Sequence, residues 1–438
     1  MSPRTGRLDV AVVGGGWAGM AAAVEATRAG HAVTVYEAAA QLGGRARALP
    51  ELPCDGRPTT LDNGQHILIG AYADTLRLMR QVGVAPDQAL LRLPMSLRFA
   101  DGQGLALPEL PAPLNLLVGL LTARGWGGAD KMALLGAVLR WRWAGFRCPQ
   151  HLSVAELCQG LPLRLRLELI DPLCVSALNT PPARASASVF LRVLADALLG
   201  SGGSSDLLLP RLDLGALFPE PAGQWLVAQG GQLERNTRVS SLLPHGPQWR
   251  VQGRVFDAVL LATSASNAAQ TLDATAFAAP QNIASQIHAW RLLAQGLQFE
   301  AIATVYAWGH GARLSQPMLG LRSTNDGSDT APAQFVFDRG QLGGPAGLLA
   351  FVVSASQGDR DTLQQQVLQQ AQAQLGLALK AVQTVVEKRA TFACTPGLQR
   401  PPGLIAPGLL ACGDYVDGPY PATLEGAVRS AVAAVKHL

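Results

Sequence analysis

The chain opens on an apolar run, Asp9-Val10-Ala11-Val12-Val13. The run breaks at Gly14-Gly15-Gly16-Trp17-Ala18-Gly19 and resumes as small and apolar residues from Met20 to Ala29. Four residues without polar interruption, Val10 to Val13, predict a strand covered on both faces, and the longer run that follows suits a helix. A second short run, Ala32-Val33-Thr34-Val35-Tyr36, ends at Glu37. The pattern therefore predicts strand, glycine turn, helix, strand: the opening of a parallel sheet.

That alternation does not continue at once. Residues 76–204 read mostly as helix, over 75–82, 114–123, 131–146, 154–159, 164–174 and 186–199, with Pro and Gly between them. Short apolar strands return at 237–239, 249–251 and 258–262. Strands at 303–308, 334–338 and 348–353 follow, with one long helix at 359–375. A last strand at 409–412 leads through Gly413-Asp414 and a Pro-rich loop to a helix from Leu424. The clusters Gly102/Gly104 and Gly343/Gly344/Gly347 lack a preceding parallel strand and read as hairpin turns. The predicted fold class is α/β. A Rossmann-like domain is built from the discontinuous segments 1–75, 205–272 and 390–438. Residues 76–204 form a mainly helical substrate or lid region, and 273–389 an α+β substrate domain.

The chemistry lies at the breaks. Gly14, Gly16 and Gly19 stand at G-x-G-x-x-G spacing, with Trp17 and Ala18 inside the turn. The first glycine permits the turn, the second lets a pyrophosphate approach the backbone, and the third lets helix pack on strand. The helix start offers free N–H groups and the positive end of its dipole to phosphate. Glu37 follows at the distance expected of a carboxylate that binds ribose hydroxyls. Two later motifs turn a dinucleotide into a flavin. Gly43-Gly44-Arg45-Ala46-Arg47 supplies close backbone approach and a guanidinium fork for pyrophosphate. Gly413-Asp414 supplies an acceptor for ribityl or ribose hydroxyls. Glu425-Gly426-Ala427 opens a helix whose amides can stabilise negative charge on a reduced ring.

Composition narrows the setting. Of 438 residues 48% are hydrophobic and only 15% charged, against about 25% in an average soluble protein. Such a chain has a large core, an apolar cavity or a membrane-facing patch. A net charge of +4 gives nucleic acid no reason to bind. Six scattered cysteines without a C-x-x-C fit reduced thiols in the cytoplasm better than disulfides or zinc. No apolar run has the length of about 20 residues that a bilayer span requires, and the N-terminal apolar stretch reads as the first strand, not a signal peptide. Nothing marks a covalent flavin attachment site. Only one dinucleotide fingerprint is present, so an external electron donor is expected.

The trio of glycine turn, Gly-Gly-Arg and Gly-Asp resembles the FAD-dependent amine oxidase and phytoene desaturase superfamily. Five further segments narrow the resemblance: Leu61-Asp62-Asn63-Gly64-Gln65-His66, Ala177-Leu178-Asn179-Thr180-Pro181-Pro182, Ser205 to Pro210, Lys388 to Phe392, and Pro421 to Ser430. They are similar to the squalene-associated FAD-dependent desaturases, whose members are hydroxysqualene dehydroxylases of bacterial hopanoid synthesis. Cys412, where Ala is common, and Ala431, where Gly is common, are small departures. The resemblance implies a GR2-type FAD domain, non-covalent FAD, and reduction of an allylic C30 isoprenoid alcohol to squalene with loss of water. The alternatives are a phytoene-type polyene desaturase and an amine oxidase. The latter is disfavoured by an aromatic content of 5%, which leaves little to build an aromatic cage.

The polar island at 62–66 is expected beside the cofactor. Asn63, Gly64 and Val239 join the cofactor contacts, and Asp62 and His66 are the catalytic candidates. Asp62 could equally cap a turn, and His66 could be a structural histidine. Tyr415 and Tyr420 are other possible donors. The stretch 114–146 joins apolar residues to Trp126, Trp141, Trp143, Arg140 and Arg142. It suits either a helix pair in a membrane interface or a lid over the substrate. A lipid-soluble product favours peripheral contact at the inner face of the cytoplasmic membrane.

Overall fold

The computed structural model describes residues 6–111, 114–199, 202–323 and 330–438. Two sheets dominate it. The first has six strands in the order Gln232–Glu234, Ala32–Tyr36, Asp9–Val13, Ala258–Leu261, Leu409–Ala411, Leu404–Ala406. Its first five strands run parallel and the edge strand antiparallel. The opening strand sits third of six, flanked by Ala32–Tyr36 and Ala258–Leu261, so both its faces are covered. That is why residues 10–13 carry no polar side chain. Helix Trp17–Arg28 packs on this sheet together with the C-terminal helix Leu424–Val435 and helix Pro219–Ala228.

The second sheet is antiparallel, in the order Met318–Gly320, Phe335–Asp338, Leu348–Ser354, Phe299–Trp308, Lys380–Phe392. Its alternation separates two environments. Val336, Phe351 and Val353 face helix Arg360–Leu375 through Leu363, Val367 and Ala371. Phe335, Phe337 and Val352 turn instead to a cavity shared with the parallel sheet.

Several predicted elements move. The strand expected at 237–239 lies earlier, at Gln232–Glu234, and residues 237–240 have no regular secondary structure. The helix expected at 164–174 is a composite. Leu163–Leu165 passes through a π-turn at Arg166–Ile170 into Asp171–Leu178. The region read as mainly helical also holds strand Leu90–Leu93 and the hairpin Ser96–Arg98/Gly104–Ala106. Gly102 lies in that hairpin's turn and Gly104 opens its second strand, and Gly343 to Gly347 fall between the paired strands Phe335–Asp338 and Leu348–Ser354. Among the described residues no helix is long and apolar enough to cross a membrane.

Gly19 shows how tightly the opening turn is built. A Cβ there would stand 1.8 Å from the Gly14 carbonyl oxygen, a backbone atom that cannot withdraw without opening the turn. Gly19→Ala is expected to destabilise the apo-protein by at least about 3 kcal/mol, read as a lowered midpoint in thermal or denaturant unfolding. An unchanged midpoint would contradict this packing.

Candidate active site

At the carboxyl ends of the parallel strands the chain leaves a cavity of about 1060 Å³, at the upper limit of typical ligand sites of about 300–1,000 Å³. On the side of the parallel sheet it is lined by Gly14, Gly16, Trp17, Ala18, Glu37, Gly44, Arg45, Val239, Ala262 to Ser264, Gly413 and Asp414. On the other side lie Leu173, Leu178, Phe190, Val193, Leu207, Ile302, Phe335, Phe337 and Val352. Asn63, Gly64 and His66 stand between, with Asn179, Glu387 and Thr391. A polar groove thus opens into an apolar chamber.

The groove's polar groups are held in place. The two Glu37 oxygens each accept one backbone N–H, from Gly15 at 2.6 Å and Ala39 at 2.8 Å, leaving further lone pairs for ribose hydroxyls. Arg45 donates to the Arg389 and Ala390 carbonyls and, at 2.5 Å, to Asp414 Oδ1. Burial pulls its guanidinium down, but the adjacent Asp414 carboxylate outweighs that and raises it, so the charge is secure. Asn63 Nδ2 donates to the Arg45 carbonyl and to Glu387 Oε2.

Gly16 is the clearest sign of what the groove is built to bind. Its φ is an ordinary −75°, and a Cβ built there finds no protein atom closer than 3.8 Å. Neither backbone strain nor protein packing demands glycine at this position. It lies against the cavity, where a ligand that approaches the backbone would demand it. Together with the Glu37 carboxylate, the free helix start and the size of the groove, this fits a dinucleotide.

Three expected site residues prove to be structural. The Asp62 carboxylate does not line the cavity. Its Oδ1 accepts the Leu214 N–H at 2.8 Å, at the start of helix Leu214–Leu217, and the side chain is buried. Glu425 is likewise turned away. Its oxygens accept the Asp74 and Thr75 N–H groups and the Thr75 hydroxyl, so it caps helix Ala73–Gln81 from 350 residues away. Gly426 does not line the cavity either. A Cβ on it would stand 2.1 Å from the Tyr420 carbonyl oxygen, so its smallness serves the turn before the last helix, while Leu424 and Ala427 reach the cavity. Gly19, as expected, acts through packing.

His66 does face the cavity, and its Nδ1 lies 2.9 Å from the Gly64 carbonyl. A carbonyl only accepts, so Nδ1 carries the proton and Nε2 is left as an acceptor. Burial, reinforced by Arg45, pushes the imidazole down against the opposing pull of the Gly64 carbonyl. His66 is therefore a neutral acceptor rather than an acid. Tyr415 is buried and does not line the cavity, whereas Tyr420 does.

Reading along the sequence overlooked Ala262 to Ser264, although they follow a strand parallel to the first and so belong at the ligand-binding edge. Asn179 gains a role from its geometry. In a left-handed conformation at the end of helix Asp171–Leu178, its amide donates to Thr391 Oγ1 and its oxygen accepts the Ala355 N–H at 2.6 Å. It pins the helical wall of the chamber to the antiparallel sheet.

Groove and chamber together define a flavin-dependent oxidoreductase. Residues 17–438 match the family model described as flavin containing amine oxidoreductase, and the chain belongs to that family. It is 28% identical to a hydroxysqualene dehydroxylase of Rhodopseudomonas palustris, over 96% of each chain. A zeta-carotene desaturase of a Synechocystis strain is 35% identical over 29% of this chain and 26% of that one. Among solved structures, an oxidoreductase from Methanosarcina mazei superposes with a TM-score of 0.69 at 16% identity, covering 98% of this chain and 100% of that one.

Two substitutions separate ligand from scaffold. Gly16→Ala is expected to leave apo-protein stability unchanged and to weaken FAD binding at least about tenfold, a loss of about 1.4 kcal/mol. Flavin titration and unfolding of the same preparations check both halves. Burial pushes the Asp62 carboxyl up from 3.8 to about 6. The folded protein therefore favours the protonated form, and this contribution to stability is complete below 3.8 and lost as pH rises through about 6. Asp62→Asn keeps an acceptor for Leu214 and removes the titration. It is expected to gain on the wild type by up to about 3 kcal/mol between about pH 4 and pH 7, with turnover retained. A gap that does not change with pH, or lost turnover, would contradict the structural assignment.

Proposed function

We propose that this protein is an FAD-dependent hydroxysqualene dehydroxylase, reducing an allylic C30 alcohol to squalene with loss of water. The reading rests on the continuity of a dinucleotide groove with an apolar chamber. The near full-length likeness to a hydroxysqualene dehydroxylase supports it. Held at Gly14, Gly16, Glu37 and Arg45, FAD in its reduced form would supply a hydride to the alcohol carbon and a proton to the departing hydroxyl, giving squalene, water and oxidised FAD. An external donor restores the reduced cofactor. None of the six cysteines lines the cavity, so no thiol stands there to bond FAD covalently.

The chain's own residues provide binding, orientation and dryness. Phe335, Phe337, Leu173 and Leu178 exclude water and hold a polyisoprenoid chain. Glu37 takes ribose hydroxyls, Gly14 and Gly16 admit the pyrophosphate, and Arg45 holds Asp414 at the groove wall. His66 Nε2 can accept a hydrogen bond from the substrate hydroxyl and so orient it. It is not the proton source, being neutral. Likeness to the carotenoid desaturase over the shorter stretch supports a second reading, hydride removal from a polyene.

Product analysis by mass spectrometry decides between them. Reduced holoenzyme mixed anaerobically with hydroxysqualene is expected to give squalene and oxidised flavin. Oxidation of a polyene by the oxidised enzyme, with hydroxysqualene untouched, would replace the proposal by the desaturase reading. His66→Ala is expected to slow single-turnover flavin oxidation by about tenfold to a hundredfold, within the range for one lost orienting contact. Unchanged rates would remove His66 from the reaction.

A further inference from the structure

Helix Leu114–Thr122 exposes Leu114, Leu117 and Leu121 at three- and four-residue spacing, one stripe of an α-helix. The next helix, Gly128–Trp143, exposes Met132, Leu139 and Trp143, the last 91% accessible. Leu163 and Leu167 are exposed on the segment that follows. The three are tied together. Lys131 Nζ donates to the Leu121 carbonyl, Arg164 Nη1 to the Gly125 carbonyl, and helix Gly128–Trp143 touches Leu163–Leu165. Large apolar side chains gathered so closely are unusual on a water-facing surface.

Charge indicates what covers this face. Residues 114–147 contain Arg124, Lys131, Arg140, Arg142 and Arg147 against a single acid, Asp130. This short stretch thus carries a net +4, the whole net charge of the chain, and the remaining residues sum to zero. Arg140, Arg142 and Arg147 are exposed and make no ion pair among the described residues. Apolar and tryptophan side chains flanked by unpaired arginines match an interface between hydrocarbon and anionic headgroups.

The face is linked to the chamber wall: Gly119, the buried position of the first of these helices, lies against Leu107, whose N–H donates to the carbonyl of the cavity-lining Met95. We infer that this face docks on the surface of an anionic phospholipid bilayer, Leu117, Leu121, Met132 and Trp143 entering the headgroup region and Arg140, Arg142 and Arg147 meeting lipid phosphates. The inference stands on this surface alone and survives if the proposed substrate proves wrong. If both hold, the substrate reaches the chamber from lipid.

The test is co-flotation of the FAD-loaded full chain with vesicles of phosphatidylcholine alone or mixed with phosphatidylglycerol. The wild type is expected to float with the mixed vesicles, less so with phosphatidylcholine, and less at high salt. Reversing the three arginines (Arg140→Glu, Arg142→Glu, Arg147→Glu) is expected to weaken binding to mixed vesicles by about tenfold or more. Leu117→Ser, Leu121→Ser and Trp143→Ser together are expected to abolish flotation. Phe277→Ser, 97% exposed on another helix, is expected to float as the wild type does. Retained flavin absorbance shows each variant folded. The arginine reversals, on exposed side chains, keep the test open if the apolar triple variant misfolds. Wild type that ignores mixed vesicles, or arginine variants that float unchanged, would overturn the inference. A wild-type dimer dispersed by the serine substitutions, with no lipid binding, would also overturn it by assigning the face to a second copy of the chain.

Discussion

One guanidinium joins the distant parts of this molecule. Arg45, in the loop after the second strand, reaches the Arg389 and Ala390 carbonyls of the antiparallel sheet and the Asp414 carboxylate beyond the last parallel strand. Ala390 and Asp414 lie 345 and 369 residues from Arg45 in sequence. A flexible lysine could not make these contacts with one planar fork. The ion pair is half-enclosed, so its charges are spared the full cost of burial on the side that opens to the cavity. The polar groove of the site is bounded by those three segments where they meet.

The seam between the two sheets is held by similar ties, and most are hydrogen bonds to the backbone. Tyr306 donates to the Asp62 carbonyl and the Gln65 N–H to Thr304, while on the helical wall of the chamber Asn179 donates to Thr391. Buried polar groups placed in this way leave the facing side chains free to be apolar. The antiparallel sheet then offers Phe335, Phe337 and Val352 to the chamber and its other face to a helix. A polar groove and an apolar chamber thus share one wall, as the proposed hydride transfer to a hydrocarbon chain requires.

The cofactor side of this site was legible because its signals are local. The spacing of Gly14, Gly16 and Gly19, the strand ending at Glu37, and Gly-Asp after the last strand each report conformation within a few residues. The directions of Asp62 and Glu425 were not legible, since each is decided by a helix start elsewhere: Leu214 for the one, Thr75 for the other. A carboxylate beside a cofactor motif and one that caps a remote helix look alike in sequence. The same limit applies to the hairpin at Ser96–Arg98, whose strands are too short to show a period, and to the strand at Gln232–Glu234, which exists because Ala32–Tyr36 offers it an edge.

The central claim is that one continuous cavity holds FAD against the parallel sheet and a linear isoprenoid against the antiparallel one. A crystal structure of the reduced holoenzyme with squalene tests it most directly. It is expected to show the hydrocarbon between Phe335, Phe337, Leu173 and Leu178, with one double bond facing the flavin ring and His66 nearby. Squalene found only outside this chamber, or a chamber closed off from the flavin by protein, would contradict the account.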